Sequence, residues 1–196
     1  MPSKLDGLEE VTVTSRAEWR AWLKKHHART EGIWLITFKK SVPEKYMDYA
    51  STVEEALCFG WIDSQPRLLD ADRKMLYFCP RKPKGVWSKV NKERIARLGA
   101  EGKIAPPGLK KIEAAKKDGS WNTLDAVEAI VMPDDLIKAF AKNRAAKNFF
   151  EAFPRSSKKM ILSWVGSAKT EATRSKRIAE TVELATKNIR ANHWKP

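Results

Sequence analysis

The chain changes character once along its length. Apolar runs that suit strands are confined to residues from about Val11 to Ile104, and from Asp134 onward apolar residues recur only at helical spacing. A sheet therefore has to be completed in the first part, while the last part has to build a purely helical core. Strands with helices first and helices alone afterwards predict an α+β protein. We expect a small, mainly antiparallel sheet with flanking helices over 1–120 and a C-terminal helical subdomain over 121–196. No internal repeat or low-complexity tract interrupts either part.

Local signals place the elements. "VTVTS", Val11 to Ser15, reads as a short strand running into a cap, and Ser15-x-x-Glu18 fits a capping box. Trp19, Trp22, Leu23 and His26 then share one helical face, until Gly32 breaks the pattern. "IWLITFKK", Ile33 to Lys40, predicts a buried strand. "STVEEALCFGWIDSQPR", Ser51 to Arg67, opens with two capping-box patterns, Ser51-x-x-Glu54 and Thr52-x-x-Glu55. Its inward stripe is Val53, Ala56, Leu57 and Gly60. "WIDSQPRLL" and "KMLYFCPRK" predict a hairpin turned by "DADR". Ser88 predicts the cap of a helix with the stripe Val90, Ile95, Leu98, ended by Gly99 and Gly102. A short helix opened by Pro106-Pro107 and closed by Gly119 follows, then an acidic connector, Asn122 to Pro133. "PDDLIKAFAKNRAAKNFFEAF" predicts one helix with core positions Leu136, Phe140, Phe149 and Phe153, and two more helices follow. The tail "NHWKP" reads as mobile.

Charge is distributed unevenly. The net charge of +14 arises chiefly between 73 and 117, with 14 Lys/Arg against 3 Asp/Glu, and between 138 and 196, with 14 against 4. Such an excess favours an anionic small molecule or acidic partner, with nucleic acid as the alternative. A solvated basic surface that only aids solubility is the bland reading. A hydrophobic fraction of 42% with eight Trp and seven Phe is enough for a core and argues against global disorder. The N-terminal "MPSKLDGLEEVTV" has no apolar signal-like run, and no stretch approaches a membrane span, so a soluble cytoplasmic protein is expected. Cys58 and Cys79 are too few for a disulfide framework and are expected to be reduced and mostly buried.

Catalytic patterns are scarce. His26 and His27 are adjacent and His193 is in the tail, so no metal-ligand spacing arises and no metal or cofactor is expected. GxSxG, GxGxxG and HExxH motifs are absent. Asp63 and Ser64, neighbours on a strand, point to opposite faces and do not assemble a hydrolytic trio with a His. Cys58 lies between Leu57 and Phe59, which favours burial over nucleophilic use. A small-molecule enzyme with a cryptic site is therefore the least supported function.

A polar and basic constellation is more promising. It consists of Asp63, Ser64 and Arg67, then Arg81, Lys84, Trp87, Ser88, Asn91 and Arg94. Arg81 and Lys84 just precede a helix whose N-terminus offers free N–H groups to an anion. Arg supplies forked donors and Trp a stacking face. The residues predict a basic ligand-binding cleft; otherwise Ser88 merely caps, Trp87 is core, and the arginines are solvated.

Three segments together carry a family resemblance: "EEALCFGWIDS", "RKPKGVWSKVNKERIARL" and "FFEAFPRSSKKMILSWVGSAKTEATRSKRIAETVELA". The chain resembles the YdeI/OmpD-associated family of bacterial proteins, also labelled bacteriocin-protection. "SWVGSAKTEATRSKRI" is the most diagnostic part. The resemblance implies a bacterial, mostly cytoplasmic α+β protein linked to envelope stress, and it brings no catalytic residues.

Overall fold

The computed structural model describes residues 5–193. Residues 1–4 of the N-terminal segment and residues 194–196 of the tail lie outside the described residues. The chain divides into two compact units, Met1–Asn122 and Thr123–Pro196. All strands among the described residues fall in the first, so the protein is α+β, with a four-stranded sheet followed by helices.

The first unit opens with β1 (Glu10–Thr12), α1 (Arg16–His26) and β2 (Ile33–Phe38). A 3-10 turn at Pro43–Lys45 leads into α2 (Tyr49–Cys58), and the hairpin β3 (Trp61–Leu68) and β4 (Arg73–Pro80) follows. Helices α3 (Lys89–Ala100) and α4 (Pro106–Lys117) and a 3-10 turn at Ser120–Asn122 complete it. The strand order is β1-β2-β4-β3. Only the β1–β2 pair is parallel, because α1 supplies its crossover.

Residues of β2 alternate between two apolar clusters, which explains its unbroken hydrophobic run. Ile33 and Leu35 join the main core with Trp19, Leu57, Trp61 and Phe78. Trp34 and Ile36 join Met75 in a smaller cluster covered by Leu5 and Leu8. The Trp34 indole N–H also donates to the Leu5 carbonyl at 2.8 Å. Trp61 is fully buried where helix hands over to sheet, and its indole donates to the His27 carbonyl at 3.1 Å.

Helix α2 is buried from Thr52 to Cys58, including Glu54 and Glu55. Its cap differs from expectation. Asp48, not Ser51 or Thr52, accepts the Ser51 N–H at 2.8 Å, so the helix begins earlier and both glutamates lie beyond its first turn. There they meet arginines. Glu55 takes Arg16 at 2.6 Å and Arg20 at 2.7 Å; Glu54 takes Arg16 at 3.2 Å and also pairs with Arg97 of α3. Burial pulls the Arg16 and Arg20 guanidiniums down, and the Glu55 carboxylate more than reverses it.

Gly60 ends the helix region in the left-handed conformation, φ 77°, as its position predicts. The free Cys58 carbonyl accepts the Ala105 N–H at 3.0 Å, which fastens the entry of α4 to the end of α2. A Cβ at Gly108 would collide with that same carbonyl, so α4 approaches this closely only with glycine there.

The second unit contains α5 (Asp125–Glu128), α6 (Asp134–Ala141), α7 (Arg144–Ala152), α8 (Arg155–Gly166) and α9 (Glu171–Thr186). The helix expected over Pro133 to Phe153 is two helices. Asn143 stops α6 and caps α7, its side chain accepting the Ala146 N–H at 3.0 Å. The break shifts the register, so Phe150 is buried and Phe149 is exposed. A similar offset corrects α3, where Asn91 is buried with Ile95 and Leu98 while Val90 is exposed. Among the described residues no helix is long and apolar enough to cross a membrane.

Two stability outcomes follow. Trp61→Ala lowers unfolding free energy by about 3–5 kcal/mol, the cost of a large core cavity. Asp63→Ala, which removes one acceptor near the surface, lowers it by about 1 kcal/mol. Denaturant unfolding of the two variants checks the ordering. Arg16→Ala with Arg20→Ala strands the buried Glu55 carboxylate and costs about 3–5 kcal/mol. Adding Glu55→Gln to that pair recovers part of the loss; no recovery would show that the arginines act only through packing.

Candidate anion-binding site

The segment from β4 to α3 starts with Arg81, whose N–H donates to the Gly60 carbonyl at 2.9 Å. This bond turns the side chain inward, and Arg81 is 6% exposed. Its guanidinium carbon lies 3.5 Å from the centroid of the buried Trp87 ring, and Trp121 packs on Trp87 at 4.9 Å. Nη1 donates to the Val86 carbonyl at 3.2 Å, whereas the buried Nε has no hydrogen-bond partner. No ion pair to Arg81 occurs among the described residues. Burial pulls this guanidinium down to about 10, with Asp63 the first of the charges opposing the shift. It remains a cation at neutral pH.

Arg81 borders a cavity of about 170 Å³. Lys82 and Lys84 from the same loop, and Lys110 and Lys111 from α4, line it as well. Ser120 lines it too, 6% exposed and with a buried Oγ that lacks a hydrogen-bond partner. The two buried, unpartnered polar side-chain atoms found among the described residues thus belong to one cavity. One acid, Asp118, is present. The nearby Ser120 hydroxyl and amide hold its carboxylate below the ordinary range, although that hydroxyl makes no aligned bond. Five cations against one carboxylate make a strongly positive concavity. Lys84 adopts φ 58°, the left-handed region that a residue with a Cβ rarely occupies, so the loop is held under strain beside this cavity.

The residues read from sequence separate into three places. Arg81, Lys84 and Trp87 line the cavity just described. Asp63, Ser64 and Arg67 line a different one, of about 520 Å³, walled by Leu35, Met47 and Leu76. There the Tyr49 hydroxyl donates to Asp63 at 2.6 Å, while Arg67 pairs with Asp6 at 3.0 Å and lies over Trp34. Ser88, Asn91 and Arg94 line neither. Ser88 accepts the Asn91 N–H at 3.3 Å, and Arg94 donates to the Asn91 Oδ1 at 2.9 Å. The N-terminus of α3 is therefore closed by its own cap, and α4 supplies the cations in its place. Lys110, Lys111 and Ser120 are not singled out in the sequence, where the segment reads only as a short helix opened by Pro106-Pro107 and closed by Gly119.

Other chemistry finds little support. Cys58 is buried and Cys79 is half-buried, a correction to the expectation for the second thiol; both are free. Burial pushes both thiols up, away from thiolate character at neutral pH. No group of three or more His, Cys, Asp or Glu suited to a metal ion occurs among the described residues.

Fold and cavity together define a class: an α+β unit with a lysine-ringed, arginine-floored concavity, joined in sequence to a helical unit. Residues 11–111 match the family described as Domain of unknown function (DUF8412), and the chain belongs to that family. Residues 129–188 match the family described as Bacteriocin-protection, YdeI or OmpD-Associated, which bears out the resemblance read from the sequence. The last of the three segments, 149–185, falls wholly under that second match; the other two fall under the first. No curated protein and no solved structure matches the chain.

The 520 Å³ cavity yields a spectroscopic outcome. Burial and the hydrogen bond to Asp63 push the Tyr49 phenol up to about 12. A tyrosinate absorbance titration shows the Tyr49 ionisation near that pH, with Tyr77 also raised above the ordinary phenol. Asp63→Asn moves it earlier, and Tyr49→Phe removes it; an unchanged profile in Asp63→Asn would assign the shift to burial alone.

Proposed function

We propose that this is a non-enzymatic binding protein whose N-terminal unit holds an anionic ligand in the Arg81 cavity. One observation carries the reading. Arg81 is buried without a carboxylate partner, its Nε is unsatisfied, and it faces a cavity ringed by four lysines. A buried, unpaired cation is costly, and an anion that supplies both countercharge and acceptor relieves the cost. The stack on Trp87 fixes the guanidinium plane, so little rotamer freedom is lost on binding. A role in bacteriocin protection rests on the family description alone, and a link to envelope stress in a bacterial cytoplasm rests on the resemblance read from the sequence; both accompany this reading as part of the proposal. The strongly basic C-terminal helices favour a second reading, nucleic-acid binding, which would show steep salt dependence.

At matched ionic strength, phosphate raises the melting temperature more than chloride. At a hundredfold excess over its dissociation constant the gain is about 2.7 kcal/mol. Arg81→Met keeps apolar packing on Trp87, retains or raises the stability of the ligand-free protein, and abolishes the difference between the two salts. General salting-out acts on both proteins alike, so an equal response in wild type and variant would overturn the reading. Oligonucleotide binding that survives Arg81→Met would favour the second one.

A further inference from the structure

The Arg81 cavity does not stand alone. A groove of about 910 Å³ adjoins it, and Arg81, Lys82, Pro83, Lys110 and Lys111 line both. The groove as a whole is walled mainly by apolar atoms and includes His27, Phe59 and Tyr77. The His27 and Phe59 rings lie nearly parallel, 6.3 Å apart. Cationic charge does not continue along it. Arg29 is paired with Glu9, and Glu31 adds an acid that has no ion pair among the described residues to the same wall. A polyanion needs cations repeated along its track, whereas this surface offers one dense cluster beside a mainly apolar groove.

We propose that the ligand is a phosphomonoester, its phosphoryl group in the Arg81 cavity and its organic part in the adjoining groove. This rests on the anion-binding reading above and names the ligand class for that site. The small cavity, of about 170 Å³, has room for a tetrahedral oxyanion. Five cations against one carboxylate favour a charge near −2 over −1, and a phosphomonoester carries that charge above pH ~6. The groove has the dimensions of a small-molecule site, and a flat or apolar body fits the His27–Phe59 wall.

Isothermal titration at pH ~7.5 with inorganic phosphate and with phenyl phosphate separates the two layers of the proposal. Phenyl phosphate binds the wild type about tenfold more tightly than inorganic phosphate, through burial of its ring. Arg81→Met loses both. His27→Ala reduces the preference for phenyl phosphate severalfold and leaves inorganic phosphate unchanged. If Arg81→Met fails to fold, Lys82→Ala with Lys111→Ala serves in its place, with both affinities about tenfold weaker. Equal affinities for the two ligands in wild type would overturn the phosphomonoester proposal while leaving the anion site standing. Binding of neither would overturn both. A short oligonucleotide that binds more tightly than phenyl phosphate and is lost in Arg81→Met would overturn it in favour of a polyanion.

Discussion

The N-terminal unit is organised around two carboxylates that a buried helix carries into its interior. Glu54 and Glu55 leave water only because Arg16 and Arg20 of α1 and Arg97 of α3 reach them. The arginines remain partly solvated at their outer ends, so each pair combines a desolvated acceptor with a donor that keeps some hydration. Such pairs contribute orientation more than net stability. They fix how α1 and α3 sit on α2, and the Cys58 carbonyl and Gly108 then fix α4 against the same helix. The α4 wall of the Arg81 cavity is thus positioned from this one helix.

The contrast between the two buried charge arrangements is informative. Acids and bases are matched at Glu54 and Glu55. At Arg81 they are not: Asp63, the carboxylate that acts on its charge, accepts from Tyr49, and Asp118, which lines the same cavity, accepts from its own turn. A fold able to satisfy buried glutamates with three arginines leaves one buried arginine unsatisfied, and does so where four lysines converge. Self-repulsion of that cluster is an energetic cost in the ligand-free protein, and neutralisation by an anion removes it.

The helical unit shows how a family signature can be architectural. Within "SWVGSAKTEATRSKRI", Thr170 caps α9 by accepting the Thr173 N–H, and Arg174 grips Asp135 of α6 with two parallel bonds. Arg177 lies over Trp164 and donates to Ser167. Each polar residue named holds one helix to another or starts one. The motif therefore accounts for the packing of α6, α8 and α9 without any reaction to catalyse.

Local rules carried the sequence reading far. The apolar run along Ile33 to Phe38, the turn at Asp70 to Arg73, the caps at Ser15 and Ser88, and the terminators Gly60 and Gly119 all depend on near neighbours, and each was legible. The failures occurred where a neighbour distant in sequence decided. Glu54 and Glu55 have the pattern of capping acids, yet arginines 35–43 positions away draw them inside. Asn143 splits a continuous apolar period because its side chain captures a backbone amide, which moves the core position from Phe149 to Phe150. The same distinction divides the site. Arg81, Lys84 and Trp87 could be read together because one loop carries them. Lys110, Lys111 and Ser120 reach the same cavity only because the end of α2 anchors α4 there, and no local pattern in the sequence records which distant helix will supply the charge.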